Sequence, residues 1–417
     1  MRIEQIHQSS SASRRRTSAQ ITWEDSDRPQ QEIYFEIEGQ LGDALSMETD
    51  AFVTASVMPA LWHGEKRIKI EGELCPDLRD GLITTMAVIS DWYQLSRPLA
   101  VLEASPRKHP VARPTDRAGF FLTGGIDSLA TLRMNQLNFP TSHPGAFKDG
   151  ILIFGLEIDK AEDFEHVSKW LGELAEHTGI KLVPVYTNER LLEPDWNFWI
   201  DVFEGAVLAA AGHALGGRLT SATIASSFDI PNLHRLASHP MLDPFYSSHR
   251  MRIRHDGAAY SRFEKTRILS EWDLGMQYIR VCNVTENYRT DQLNCGECEK
   301  CIRTMLTLLA LGALGKTRAF PNREFTADFI KEKANLHRKN FRFWPELAAP
   351  LDRIGRTDLA DAVRFVCARY RGEVGWKGAM RRFDRERLNG GVGALKRAIW
   401  TNGEASDEPG SSPRSAS

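Results

Sequence analysis

A chain of 417 residues is long enough for two or three domains, and 42% hydrophobic content is ordinary for a soluble globular protein. Its formal net charge of −2 at pH 7 gives no global reason to expect a nucleic-acid partner. No window approaches the ~20 unbroken apolar residues that a bilayer span needs, and the first twenty residues lack an apolar signal core, so the sequence reads as cytoplasmic with no membrane partner.

In chain order, residues 1–20 are rich in Ser and Arg, and 403–417 in Gly, Ser, Pro and acid; both read as disordered ends. Residues 21–103 read as a small α+β domain. Ile21-Thr22-Trp23 and 32–37 pair as strands across a polar turn, 67–72 forms another strand, and 78–93 is an amphipathic helix. Residues 104–117, with prolines and basic side chains, form the linker. From Ala118 strand and helix patterns alternate, which predicts an α/β fold with a Rossmann-like parallel sheet. The expected strands are 119–122, 150–155, 181–186, 219–225 and 251–255; the expected helices begin near Leu129, Asp163, Asp195 and Ser261. A strand at 278–281 and a helix at 302–311 close this region at about residue 315, and 316–402 reads as a helical extension. On that extension Arg369, Arg371, Lys377, Arg381, Arg382 and Arg385 make a basic stripe beside Trp376, balanced by Glu373, Asp384 and Glu386 as on a solvated helix face.

Two motifs carry chemistry. The first strand runs directly into Thr123-Gly124-Gly125-Ile126-Asp127-Ser128 and then a helix. Adjacent glycines let backbone approach an anion, the hydroxyls of Thr123 and Ser128 add donors, and the helix start favours negative charge. Asp127 would repel a bare phosphate but can hold Mg²⁺ against a pyrophosphate, which points to a nucleoside triphosphate. The plainer alternative is a glycine pair that turns the chain and an Asp127 that caps the helix. The second motif is Cys282 with Cys295, Cys298 and Cys301, four of six cysteines within one 20-residue segment. Three thiolates at two-residue gaps plus a fourth can wrap one tetrahedral Zn²⁺, and Gly296 permits the tight turn. With every position filled by protein, the ion stabilises structure and does not activate water. Disulfides or free thiols are the alternatives. Cys75 and Cys367 read as core thiols.

The hexapeptide resembles the pyrophosphate loop of the PP-loop ATP pyrophosphatase superfamily, usually Ser-Gly-Gly-x-Asp-Ser, and the cysteine pattern resembles the zinc knuckle of 7-cyano-7-deazaguanine synthases. The resemblance spans about residues 116–314. It departs at Thr123, in the longer gap from Cys282 to Cys295, and in the large flanks, which imply an acceptor other than a small deazapurine acid. It implies an adenine-nucleotide hydrolase-like fold, ATP and Mg²⁺ as cofactors, and adenine held by backbone after the second strand, here Gly155 and Leu156, with Glu157 beside them. Lys265 matches the lysine that faces the phosphates. Ligands in such sheets bind at the carboxyl ends of strands, which adds Ser227, and the loop carrying His239 and Asp243, as candidate substrate contacts. Arg303, two residues past the last cysteine, is a further candidate catalytic residue.

The expected function is an ATP-dependent adenylylating ligase or synthase. An acceptor carboxylate or amide oxygen attacks the α-phosphorus, pyrophosphate leaves, and ammonia or an amine displaces AMP. Asp127 organises Mg²⁺, while Thr123, Gly124, Gly125, Ile126 and Ser128 bind pyrophosphate. The acceptor is a small molecule or a protein, and the sequence leaves a homodimer open. Two other classes stay open: a tRNA-type sulfurtransferase with one reactive cysteine, and a non-catalytic ATP-binding assembly protein.

Overall fold

The computed structural model describes residues 1–109, 116–283, 292–321 and 325–387, with side chains through Trp376. Two units emerge, Met1–Glu324 and Phe325–Ser417.

The first unit opens with an antiparallel meander, β1 (Arg2–Ser10), β2 (Arg14–Thr22) and β3 (Gln31–Glu38). Helix α1 (Thr49–His63), strand β4 (Arg67–Leu74), helix α2 (Pro76–Tyr93) and strand β5 (Val101–Pro106) follow. Then come β6 (Ala118–Phe121), α3 (Ile126–Asn138), β7 (Phe147–Phe154), α4 (Ala161–Thr178) and β8 (Lys181–Thr187). A single turn α5 (Trp196–Phe198) and a π-turn at Trp199–Phe203 lead into α6 (Glu204–Ala214), which fills the long helix expected from Asp195. Strands β9 (Ser221–Ala225) and β10 (Arg252–Asp256) and helices α7 (Arg262–Ser270), α8 (Asp273–Met276) and α9 (Glu299–Ala310) complete the unit.

The ten strands found among the described residues join one mixed sheet in the order β10-β9-β6-β7-β8-β3-β2-β1-β4-β5. Strands β10 to β8 are parallel, and β3 adds antiparallel to β8 with Phe35 opposite Thr187. Residues 21–103 therefore share a sheet with the parallel region and do not stand apart as the expected α+β domain. Every residue of β6 is buried, as a strand covered on both faces requires. The two coverings can be assigned from β10. Ile253 Cδ1 lies where a Cβ on Gly212 of α6 would meet it, whereas the Asp256 carboxylate accepts from Thr131 of α3 at 3.2 Å. Residues of opposite parity on one strand point to opposite faces, so α3 and α6 lie on opposite sides.

Three further expectations for this unit are corrected. Residues 1–20 are not disordered: Met1 and Ile3 sink fully into the core, while Arg14 and Arg16 both bond Glu36 and stack on Tyr186 and Tyr34. The start of the expected linker belongs to β5, and 110–115 fall outside the described residues. Residues 278–281 form no strand; their polar backbone groups find other partners, described below. The helix α1 had no periodic signature because nearly all of its surface is buried, from Thr49 through Leu61.

In the second unit α10 (Ala327–Lys333), α11 (Ala348–Arg353) and α12 (Thr357–Arg387) surround buried Trp344, Leu347, Leu351, Leu359 and Val363. Arg369 donates to the carbonyls of Lys331 and Ala334, and Arg371 lies over Phe341, so these members of the basic stripe serve the unit itself. The side chains of Lys377, Arg381, Arg382 and Arg385, and residues 388–417 with the expected terminal disorder, lie outside the described residues. Among the described residues no helix is long and apolar enough to cross a membrane.

Candidate functional site

The strand order reverses between β6 and β9, since chain progress runs one way through β7 and β8 and the other way through β9 and β10. Such a switch point opens a crevice at the carboxyl ends of the strands. Thr123 to Ser128 follow β6 there, and Ser226 and Ser227 follow β9. Gly124 takes φ +77°, and a Cβ on it would meet Arg280 Cβ at 3.1 Å and Leu171 Cδ2 at 3.2 Å, so both conformation and space favour glycine. Gly125 is the N-cap of α3 and supplies no side-chain cap; Asp127, in the first turn, is not the cap either. Ile126 is fully buried and anchors that turn. The hydroxyls close the loop on itself, with Thr123 Oγ1 and Ser128 Oγ 3.2 Å apart and Ser128 donating to the Gly125 carbonyl at 3.1 Å. The first N–H groups of a helix have no intrahelical acceptor, so this end of α3 offers donors to an anion.

Charge gathers around it. Asp127 accepts from Arg262 Nη1 at 2.6 Å and from Lys265 Nζ at 3.3 Å. Lys265 is 1% exposed and also donates to the Ser226 carbonyl, so α7 delivers a buried ammonium to the end of β9. A capping box, Ser261 with Glu264, fixes the start of that helix. Arg280 donates from its side chain to the Thr123 carbonyl and from its backbone N–H to the Gly124 carbonyl. The sequence reading nominated Lys265 and missed Arg262, Arg280 and Asp256. Asp256 ends β10, so the carboxyl-end rule alone could have found it; Arg262 and Arg280 carry no local signal.

The other nominees occupy different surroundings. Gly155, at φ +97°, is a packing requirement: a Cβ there would sit 1.9 Å from the Thr187 carbonyl oxygen. Gly155→Ala is expected to cost about 3 kcal/mol through left-handed strain and overlap, read as a lowered thermal midpoint with bound metal unchanged. Leu156 is buried and its carbonyl accepts from Arg190 at 2.9 Å, while Ser227 is exposed. His239 and Asp243 come together with Ser238 and His255: Asp243 accepts from Ser238 Oγ at 2.8 Å and pairs with His255 Nδ1 at 2.7 Å. His255 neighbours Asp256 on β10, so this buried network lies on the face opposite α3. Burial, and then the neighbouring His255, lower the His239 pKa. Arg303 is 4% exposed and donates to Glu299 one turn earlier at 2.8 Å.

Glu189, just past β8, is fully buried, and its Oε1 has no hydrogen-bond partner among the described residues. Burial pushes its carboxyl well above the usual range. A raised folded pKa means the folded chain keeps a proton that the unfolded chain loses above about pH 4.3. The corresponding stability is present below that value and falls as pH rises. Glu189→Gln should therefore raise the thermal midpoint at pH 8 and give no gain at pH 4.

The four cysteines close a centre beside this region. Their sulfurs all lie within 4.8 Å of one another, with Cys295 to Cys301 at 3.9 Å and Cys298 to Cys282 at 3.8 Å. Bonds of about 2.3 Å to a tetrahedral ion put sulfurs about 3.8 Å apart, against about 2.05 Å in a disulfide. The thiols can hold a metal such as zinc. Cys298 is the N-cap of α9 and Cys301 lies in its first turn. Gly296 takes φ +73° and packs where a Cβ would strike Pro321, so the turn is built for glycine. Backbone N–H groups of Glu297 and Cys298 point at the Cys295 sulfur at 3.4 and 3.3 Å. Asn294, missed by sequence reasoning, receives the Val281 and Cys282 N–H groups on Oδ1 and donates to the carbonyls of Ile279 and Ala319. It takes the place of the strand ladder expected at 278–281.

No family model matches the chain, and no match is found among curated proteins or solved structures.

Proposed function

We propose that the chain is an ATP-dependent adenylylating enzyme of the PP-loop type, with a Rossmann-like nucleotide fold formed by β6 to β10. The observation that carries this reading is Asp127 at the start of α3, behind a Gly-Gly turn at the switch point, faced by the buried Lys265. A simple anion site has no use for a carboxylate in its cradle; a site for Mg²⁺ and pyrophosphate does. On this reading the amides of 124–128, Lys265 and Arg262 receive the departing pyrophosphate, and Asp127 turns from its two cations toward Mg²⁺. Magnesium bound there neutralises the phosphate oxygens. The acceptor oxygen forms its bond to the α-phosphorus as the bond to pyrophosphate breaks, and an amine then displaces AMP.

The cysteine centre is proposed as structural zinc. A sulfur carrier needs one thiol free to react, whereas all four sulfurs here converge. Incubation with Mg²⁺ and α-labelled ATP, together with separated small-molecule and protein fractions as acceptor sources, tests the assignment. AMP is expected with one fraction. ADP would overturn the α-phosphate mechanism, and intact ATP with measurable binding would favour a sensing or assembly protein.

A further inference from the structure

We propose that Arg280 is a positioning residue through which the four-cysteine centre fixes the conformation of the Gly124-Gly125 loop. The segment 278–282 lies between the two sites and belongs to no sheet. On one side the Arg280 N–H donates to the Gly124 carbonyl at 2.7 Å, and its guanidinium, on a side chain 5% exposed, donates to the Thr123 carbonyl at 3.3 Å. On the other side Asn294, 1% exposed, receives the Val281 N–H at 2.8 Å and the Cys282 N–H at 3.2 Å.

Asn294 immediately precedes one metal-ligating cysteine, and its acceptor oxygen holds the N–H of another. A metal joining Cys282 to Cys295 therefore closes a small ring that contains the Asn294 clamp. Twelve residues separate those two cysteines, so the metal adds a second closure across that stretch to the one the clamp makes. Arg280 sits two residues before Cys282 and bonds two consecutive carbonyls of the loop. Gly124 is held at positive φ with no room for a side chain on the Arg280 side, so a shift of Arg280 changes the loop directly. The coupling does not depend on which anion the loop takes.

Hydrogen exchange on the full chain, without nucleotide, tests it. Removing the metal with a chelator should raise exchange in the 119–132 peptide by roughly fivefold or more, the size expected for losing one or two hydrogen bonds, with β3 and α1 unchanged. Arg280→Ala and Asn294→Ala, each confirmed to carry the same metal content as the parent, should raise exchange in the same peptide; for Arg280→Ala exchange in α9 should not change. Parent-like exchange in 119–132 for both fully metallated variants would overturn the proposal, as would a chelated chain whose loop stays protected. Should chelation unfold the whole unit, the two variants decide alone. Absence of AMP formation by the parent chain in the labelled-ATP assay, with these exchange results obtained, would refute the adenylylation reading and leave the coupling standing.

Discussion

Asp127→Asn is expected to lower AMP formation by about 10²–10³-fold, the usual consequence of removing one preorganised charge contact in a polar site, with metal content unchanged. Asparagine keeps the shape of the side chain and one acceptor oxygen but no charge to hold Mg²⁺. The variant is chosen over alanine because of Lys265. That ammonium is 1% exposed and donates to Asp127 and to the Ser226 carbonyl. Deleting the carboxylate outright would strip a buried charge of a partner, a loss of several kcal/mol that would confuse folding with catalysis. The assay pairs AMP release from α-labelled ATP with thermal unfolding. Parent-like AMP release by a folded Asp127→Asn chain would remove Asp127 from the mechanism.

Cys301→Ser is expected to abolish stoichiometric metal binding and to lower the thermal midpoint by about 5–10 °C, to the value of the chelated parent. Its sulfur is fully buried in the first turn of α9, 3.9 Å from Cys295, where no solvent can replace a missing ligand. Structural zinc sites contribute folding free energy on the order of 10 kcal/mol in small domains, and a three-ligand remnant in this larger unit forfeits several kcal/mol of it. A shift of about 2 °C per kcal/mol follows from the size of the unit. Cys75→Ser supplies the control: Cys75 is buried far from the centre, where its sulfur accepts the His249 N–H at 3.4 Å, so metal content should stay at the parent level. Full metal loading of Cys301→Ser would show that Cys301 is not a ligand.

The sequence determined what local chemistry can encode. Glycine at 124 after an apolar strand marks the turn because φ +77° close against Arg280 favours a residue without a Cβ. The short gaps among Cys295, Cys298 and Cys301 bring their sulfurs together because a tight knuckle and one helical turn suffice. Amphipathic α4 and the apolar β7 and β8 were legible by their periods.

What escaped was decided by long-range pairing. Residues 1–20 look polar and loose, yet Met1, Ile3 and Ala19 are fully buried in the core while Arg14 and Arg16 find Glu36 on β3. The expected strand at 278–281 has the right composition but pairs with no strand among the described residues, and Asn294 takes its backbone bonds instead. His239 and Asp243 share a loop that sequence alone could aim at either face; His255 draws it to the side away from α3. Arg262 and Arg280 lie 135 and 157 residues from their partners in the loop, a separation no local pattern can span. The turn and the knuckle were thus fixed by residue type and spacing, because their geometry closes within a few residues. The cations around Asp127 and the strap between the two centres were fixed only by the fold, because hydrogen bonds across such distances exist only once the sheet has placed both partners.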